Sequence, residues 1–182
     1  MSRLESMRRR LSAQIDGLNW AAETVAPLKG DVLEMGLGNG RTYDHLRERL
    51  PGRRIWVIDR VLQPHPSCIP PADCFLKGEA DAMLIRLAQK GVRIVMAHYD
   101  FGYGIKEKDV AEGARLSPLI APLMVPGGLI VSQQPLTGFE QICGPDSIAP
   151  DRYLFYRARA HPSEPSDRAA RSLSGQRKET PC

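Results

Sequence analysis

At 182 residues, with 42% hydrophobic and 25% charged, the chain is long enough for one domain with a sizeable core and short for two. The net charge of +4 is thinly spread, and its one basic cluster, Arg8-Arg9-Arg10, reads as a solvated helix face, so nucleic-acid binding is not expected. No window approaches the length of an uncharged membrane span and residues 1–30 lack a signal-peptide apolar core, so the expectation is a cytoplasmic protein with no membrane contact.

Residues 3–26 read as a helix, with Leu4, Met7, Leu11, Ile15, Leu18 and Ala22 recurring near the helical period until Pro27 and Gly30 end it. A short strand follows at 32–35, then three glycines, then a helix over 41–50 stopped by Pro51 and Gly52. A second strand at 54–58 ends in Asp59. Beyond it Pro64, Pro66, Pro70 and Pro71 exclude a helix and predict a loop or a single turn. Further strands are expected at 74–76, 94–97 and 129–132, with helices at 80–89 and 109–124, the latter bent or shortened by Pro118 and Pro122. A last strand at 153–157 is expected to pair with 139–142. Residues 161–182 are too polar to offset their ordering entropy and are expected to be disordered, leaving one domain over 1–160.

This alternation predicts an α/β fold: a mostly parallel sheet, helices on both faces, and an antiparallel C-terminal edge. Such sheets bind ligands beyond the carboxyl ends of their strands. The cysteines at 68, 74, 143 and 182 form no C-x-x-C pair, and His65, Cys68 and Cys74 make only a partial ligand set, so no metal is expected.

The first strand exits into Gly36-Leu37-Gly38-Asn39-Gly40. The spacing is G-x-G-x-G, and Arg41 stands where a dinucleotide fingerprint has its third glycine. Glu34, two residues before the loop, suits a ligand bearing an ammonium group better than one bearing phosphates, which argues against a nicotinamide dinucleotide. Asp59, at a strand end, is placed to accept hydrogen bonds from ribose hydroxyls; the plainer alternative is a surface acid paired with Arg60.

Together these pieces resemble the cofactor site of class I S-adenosylmethionine-dependent methyltransferases. Leu123-Met124-Val125-Pro126-Gly127-Gly128-Leu129-Ile130-Val131 resembles that family's turn into its fifth strand, and Gly78-Glu79-Ala80 resembles its G-D-A segment with Glu in place of Asp. The likeness runs from about Leu33 to Ser132, and the GLGNGRTY run is similar to a compact bacterial subgroup. The resemblance implies a Rossmann-like methyltransferase sandwich with S-adenosyl-L-methionine as cofactor. Glu34 would serve the methionine amino group. The backbone of Gly36, Leu37, Gly38, Asn39 and Gly40, with Thr42, would admit the cofactor, and Asp59 and Arg60 would flank the ribose. Gly78, Glu79 and Ala80 would line the adenine pocket, and His98, Tyr99 and Asp100 would face the methionine part and the substrate. Trp20, near the end of the first helix, would either close over the cofactor or pack in the core.

A sulfonium methyl is already activated, so the protein must chiefly align the acceptor and exclude water, effects worth about 7–11 kcal/mol. A base is needed only for a protonated acceptor. The candidate catalytic residues are His98, Asp100 and Tyr103, beside Gly102 and Gly104. An imidazole titrates near neutrality, although His98 has an alternative role in bonding to the cofactor or a loop. The sequence H-Y-D-F replaces the D/N-P-P-Y/F motif of nucleobase amino-methylating enzymes. The expected function is methyl transfer to a small-molecule acceptor. The rivals are a nucleic-acid or protein methyltransferase docking through Arg8–Arg10, and a non-catalytic protein that binds the cofactor. A homodimer stays open.

Overall fold

The computed structural model describes residues 2–149 and 152–159. The tail expected to be disordered, 161–182, lies outside the described residues. In chain order the elements are α1 (Arg3–Val25), β1 (Asp31–Met35), α2 (Arg41–Arg49), β2 (Ile55–Asp59), β3 (Phe75–Lys77), α3 (Ala80–Gln89), β4 (Ile94–Tyr99), α4 (Lys106–Ile120), β5 (Met124–Ser132), β6 (Glu140–Ile142) and β7 (Leu154–Arg157). The proline-rich segment after β2 forms a single 3-10 turn, Pro66–Cys68, because four prolines leave too few backbone donors for a longer helix.

The sheet has seven strands in the order β3-β2-β1-β4-β5-β7-β6. Strands β3 to β5 run parallel, and β7 and β6 close the edge as antiparallel strands. This is the methyltransferase-type Rossmann-like arrangement that the alternation and the resemblance led one to expect. Strand order reverses between β1 and β4, where Glu34 lies opposite His98 and Met35 opposite Tyr99. A ligand crevice belongs at that switch point.

Several boundaries differ from expectation, most of all those of α4 and β5. Helix α4 starts at Lys106 and ends at Ile120, carrying Pro118 inside and passing into a 3-10 turn, Ala121–Leu123. Its start is drawn forward by Asp109, whose carboxylate accepts the Tyr103 amide at 2.6 Å. Strand β5 begins at Met124 because its Pro-Gly-Gly segment keeps partners: Gly127 N–H donates to Ala158 O and Ala158 N–H to Gly128 O. Strand β3 is displaced by one residue.

Two apolar layers cover the sheet. On one face α1 and α2 bury Leu18, Ala21, Val25 and Leu46 against Val32, Val57, Met96 and Val131. On the other, α3 and α4 bury Leu84, Leu87, Leu116 and Ile120 against Leu33, Met35, Ile58 and Ile130. Each fully buried Leu, Val, Ile or Met side chain among them contributes roughly 1.5–3 kcal/mol. Helix α1 starts with a capping box between Ser2 and Glu5. Past its other end, the Arg53 guanidinium donates to the carbonyls of Val25, Ala26, Leu28 and Gly30 at 2.8–3.2 Å. Only the C-terminal half of α1 is core. Leu4, Met7, Leu11 and Ile15 are exposed.

Candidate active site

The glycine loop leaves β1 at the switch point, and Asp100 leaves β4 beside it, its N–H donating to Met35 O. Gly36, Gly38 and Gly40 all have positive φ (94°, 49° and 85°), a region that favours glycine. They do different things. A Cβ on Gly36 would stand 2.9 Å from Phe101 Cβ, and one on Gly40 would stand 2.5 Å from Cys68 Cβ; around Gly38 the space is open. Two glycines thus let the chain pack on itself, while the space beside the middle one is open.

Asp59 closes the loop's other side. Its Oδ2 accepts the amides of Leu37 (2.8 Å) and Gly38 (3.2 Å), and its Oδ1 accepts that of Val61. Gly78 N–H donates to Asp59 O, which brings the β3 exit alongside. Glu79 and Arg60 face each other on that rim at 4.0 Å, both largely exposed.

A cavity of about 1030 Å³ extends from this loop, lined by Gly36–Thr42, Asp59, Asp100–Gly102, Gln133, Gln134, Arg152 and the N-terminal half of α1 from Arg3 to Gln14. Helix α1 is tied to its wall. Arg10 Nη2 donates to both Asp100 oxygens (3.0 and 3.1 Å), and Gln14 Nε2 donates to Asp100 Oδ2 at 2.6 Å.

Behind the cavity wall lies a buried polar cluster. Glu34 and His98 are both fully buried. Glu34 Oε1 accepts the Thr42 hydroxyl, and its Oε2 accepts from His98 Nδ1 at 2.9 Å. Burial pulls the His98 pKa down, but the charge and hydrogen bond of Glu34, joined by the Asp100 charge, outweigh it, and the net shift is upward. Among the described residues His98 Nε2 and the Tyr153 hydroxyl have no hydrogen-bond partner, and the two rings stack at 6.1 Å. Burial, then the Asp100 charge, pushes the Tyr153 phenol well above its usual range.

Of the residues singled out from the sequence, the structure brings Gly36, Leu37, Gly38, Asn39, Gly40, Thr42, Asp59 and Asp100 to the cavity. Glu34 and His98 sit behind it, connected through Thr42. Arg60, Gly78, Glu79 and Ala80 gather at the rim beyond Asp59 rather than in the lining. Tyr99 is buried on the opposite face of the sheet, stacked on Phe101, and Tyr103 is exposed outside the lining. Trp20 packs edge-on against Phe155 in the core and does not close over the cavity.

A family model described as S-adenosyl-L-methionine methyltransferase matches residues 1–158. The chain belongs to this family. A solved S-adenosyl-L-methionine methyltransferase from Silicibacter pomeroyi DSS-3 is 34% identical, with 86% of this chain and 98% of that one covered and a TM-score of 0.81. Human methyltransferase-like protein 13, solved with S-adenosylhomocysteine, shares the fold at 12% identity and a TM-score of 0.50, covering 86% of this chain and 83% of that one. No curated protein matches. The methyltransferase is therefore an enzyme that uses S-adenosyl-L-methionine, and the residues present fit that cofactor: Gly38 leaves open space on the cavity side and Asp59 offers a carboxylate at the end of β2. Among the described residues no helix is long and apolar enough to cross a membrane.

Arg10, Gln14, Lys106, Gln133, Gln134 and Arg152 went unrecognised in the sequence as cavity residues. Arg10 is ninety positions from its partner Asp100, and nothing in the run Arg8-Arg9-Arg10 marks the third arginine as the one that turns inward.

Proposed function

We propose that the methyltransferase transfers its methyl group to a small-molecule acceptor. The observation carrying this reading is a cavity of about 1030 Å³, one side of which is formed by helix α1 tied to Asp100 through Arg10 and Gln14. That volume stands at the upper end of small-molecule pockets, with room for a cofactor and a compact acceptor together.

In this reading the Leu37–Gly38 backbone and Asp59 hold the cofactor, with Arg60 and Glu79 at its outer rim. The bound cofactor supplies a methyl group already activated by a positively charged sulfur. The chain's own task is positioning. Helix α1, tied to Asp100 by Arg10 and Gln14, excludes water and fixes the acceptor's approach, effects worth on the order of 7–11 kcal/mol. The Glu34–His98 pair braces Thr42 and the loop from behind and holds its proton away from the cavity.

The test is to incubate the enzyme with methyl-labelled S-adenosylmethionine and a cell extract, then separate small molecules, protein and RNA. Label in the small-molecule fraction is expected. Label confined to protein or RNA refutes the reading.

A further inference from the structure

The cavity gathers charge that cofactor binding leaves unbalanced. Arg3, Arg10, Arg41, Lys106 and Arg152 line it against Asp59, Asp100 and Asp109. Of these acids only Asp100 has a cationic partner among the described residues, so Asp59 and Asp109 leave two negative charges against the four remaining cations. Asp59 accepts loop amides, and Asp100 is held by Arg10 and Gln14. Asp109 is buried and accepts the Tyr103 amide. Arg10 is occupied in the same exchange. Among the described residues Arg3, Arg41, Lys106 and Arg152 form no ion pair.

S-adenosylmethionine carries one carboxylate against an ammonium and a sulfonium, so it adds positive charge instead of neutralising it. Its single carboxylate accounts for one cation at most, and Arg41, which follows Gly40 directly, flanks the loop. Arg3 of α1, Lys106 at the start of α4 and Arg152 before β7 are left over. They are far apart in sequence and line the same cavity.

We propose that Arg3, Lys106 and Arg152 bind an anionic group of the methyl acceptor, a small molecule carrying a carboxylate or a phosphate. The proposal rests on the cavity being the methyl-transfer site. A guanidinium fork matches either oxyanion with paired N–H···O bonds, and an ammonium adds a point charge. An amine acceptor would meet like charge in the same place. Gln133 and Gln134 add hydrogen-bonding groups to the lining without changing its charge. Arg8 and Arg9 are exposed and stand outside the lining, so the cavity's charge is separate from the N-terminal cluster that a nucleic acid would use. Where the anionic oxygen is itself the atom methylated, no proton has to be removed.

The experiment is isothermal titration of the full chain, saturated with S-adenosylhomocysteine, using benzoate, phenyl phosphate, benzyl alcohol, benzylamine and an RNA oligonucleotide as probes. The wild type is compared with Arg3→Ala/Lys106→Ala/Arg152→Ala. At least one of the two anions should bind ten-fold or more tighter than the alcohol and the amine, and the triple variant should lose that preference. Which anion wins separates a carboxylate from a phosphate acceptor. The triple variant should keep its affinity for S-adenosylhomocysteine, which reports that it is folded. Equal binding of the alcohol or amine, absence of any anion preference, or anion affinity unchanged in the triple variant overturns the proposal. So does RNA binding that exceeds both anions and depends on Arg8 and Arg9. Failure of the wild type to bind S-adenosylhomocysteine would refute the methyl-transfer reading instead.

Discussion

Replacing Glu34 by Gln removes the charge from the centre of the buried cluster while nearly preserving its shape. Glu34 is fully buried, with one oxygen on Thr42 and the other on His98. Removing one partner of a buried pair costs about 3–5 kcal/mol, because the remaining charge has no compensation. A thermal shift of about 2–4 °C per kcal/mol is usual for a chain of this size, so Glu34→Gln should lower Tm by roughly 6–20 °C. His98→Gln alone should also destabilise. The double variant should cost less than the two singles summed, since residues in direct contact couple by about 0.5–3 kcal/mol. The folded state also holds the His98 proton more tightly than the unfolded chain, whose imidazole titrates near 6.5. The pair's stabilisation is thus complete below about pH 6.5 and declines as pH climbs through the raised folded value. Urea melts of all four proteins between pH 5.5 and 9 measure both effects. Additive single costs, or a wild-type pH slope that persists in His98→Gln, would refute the reasoning.

Gly40→Ala forces a Cβ onto a backbone with φ of 85° and against Cys68 at 2.5 Å. It should cost about 1–3 kcal/mol from the backbone alone, measured as a lower urea midpoint, whereas Gly38→Ala should cost less and weaken ligand binding more. Arg53→Lys cannot reproduce the guanidinium's reach to four carbonyls past α1. Amide exchange should speed up through Val25–Gly30 in that variant, and an unchanged exchange pattern would contradict the assigned role.

Much of this fold could be read directly from periodicity and punctuation. Helix α3 falls on its expected residues, the four prolines after Asp59 reduce a helix to one turn, and the 139–142 segment pairs antiparallel with the last strand. The glycine loop and Asp59 were legible because local spacing and a strand end define them. What escaped is tertiary. Periodicity marks Leu4, Met7, Leu11 and Ile15 as one apolar stripe, but it carries no information on what packs beneath it, and all four are exposed. Glu34 reads as a ligand carboxylate from its place beside the loop. Its burial against His98 depends on the β1–β4 register, which no local pattern encodes. Trp20 reads as a lid candidate, and only the path of β7 shows that Phe155 receives it.

The central claim is that the loop around Gly38 and the Asp59 carboxylate bound the cofactor site. The most direct measurement is the thermal stabilisation of wild type and Asp59→Ala by S-adenosylhomocysteine. At about a hundred times its dissociation constant the ligand adds roughly 2.7 kcal/mol, or about 5–11 °C in Tm at this size. The account predicts that shift in the wild type and its loss in an Asp59→Ala protein that still unfolds cooperatively. An equal shift in both proteins would contradict it.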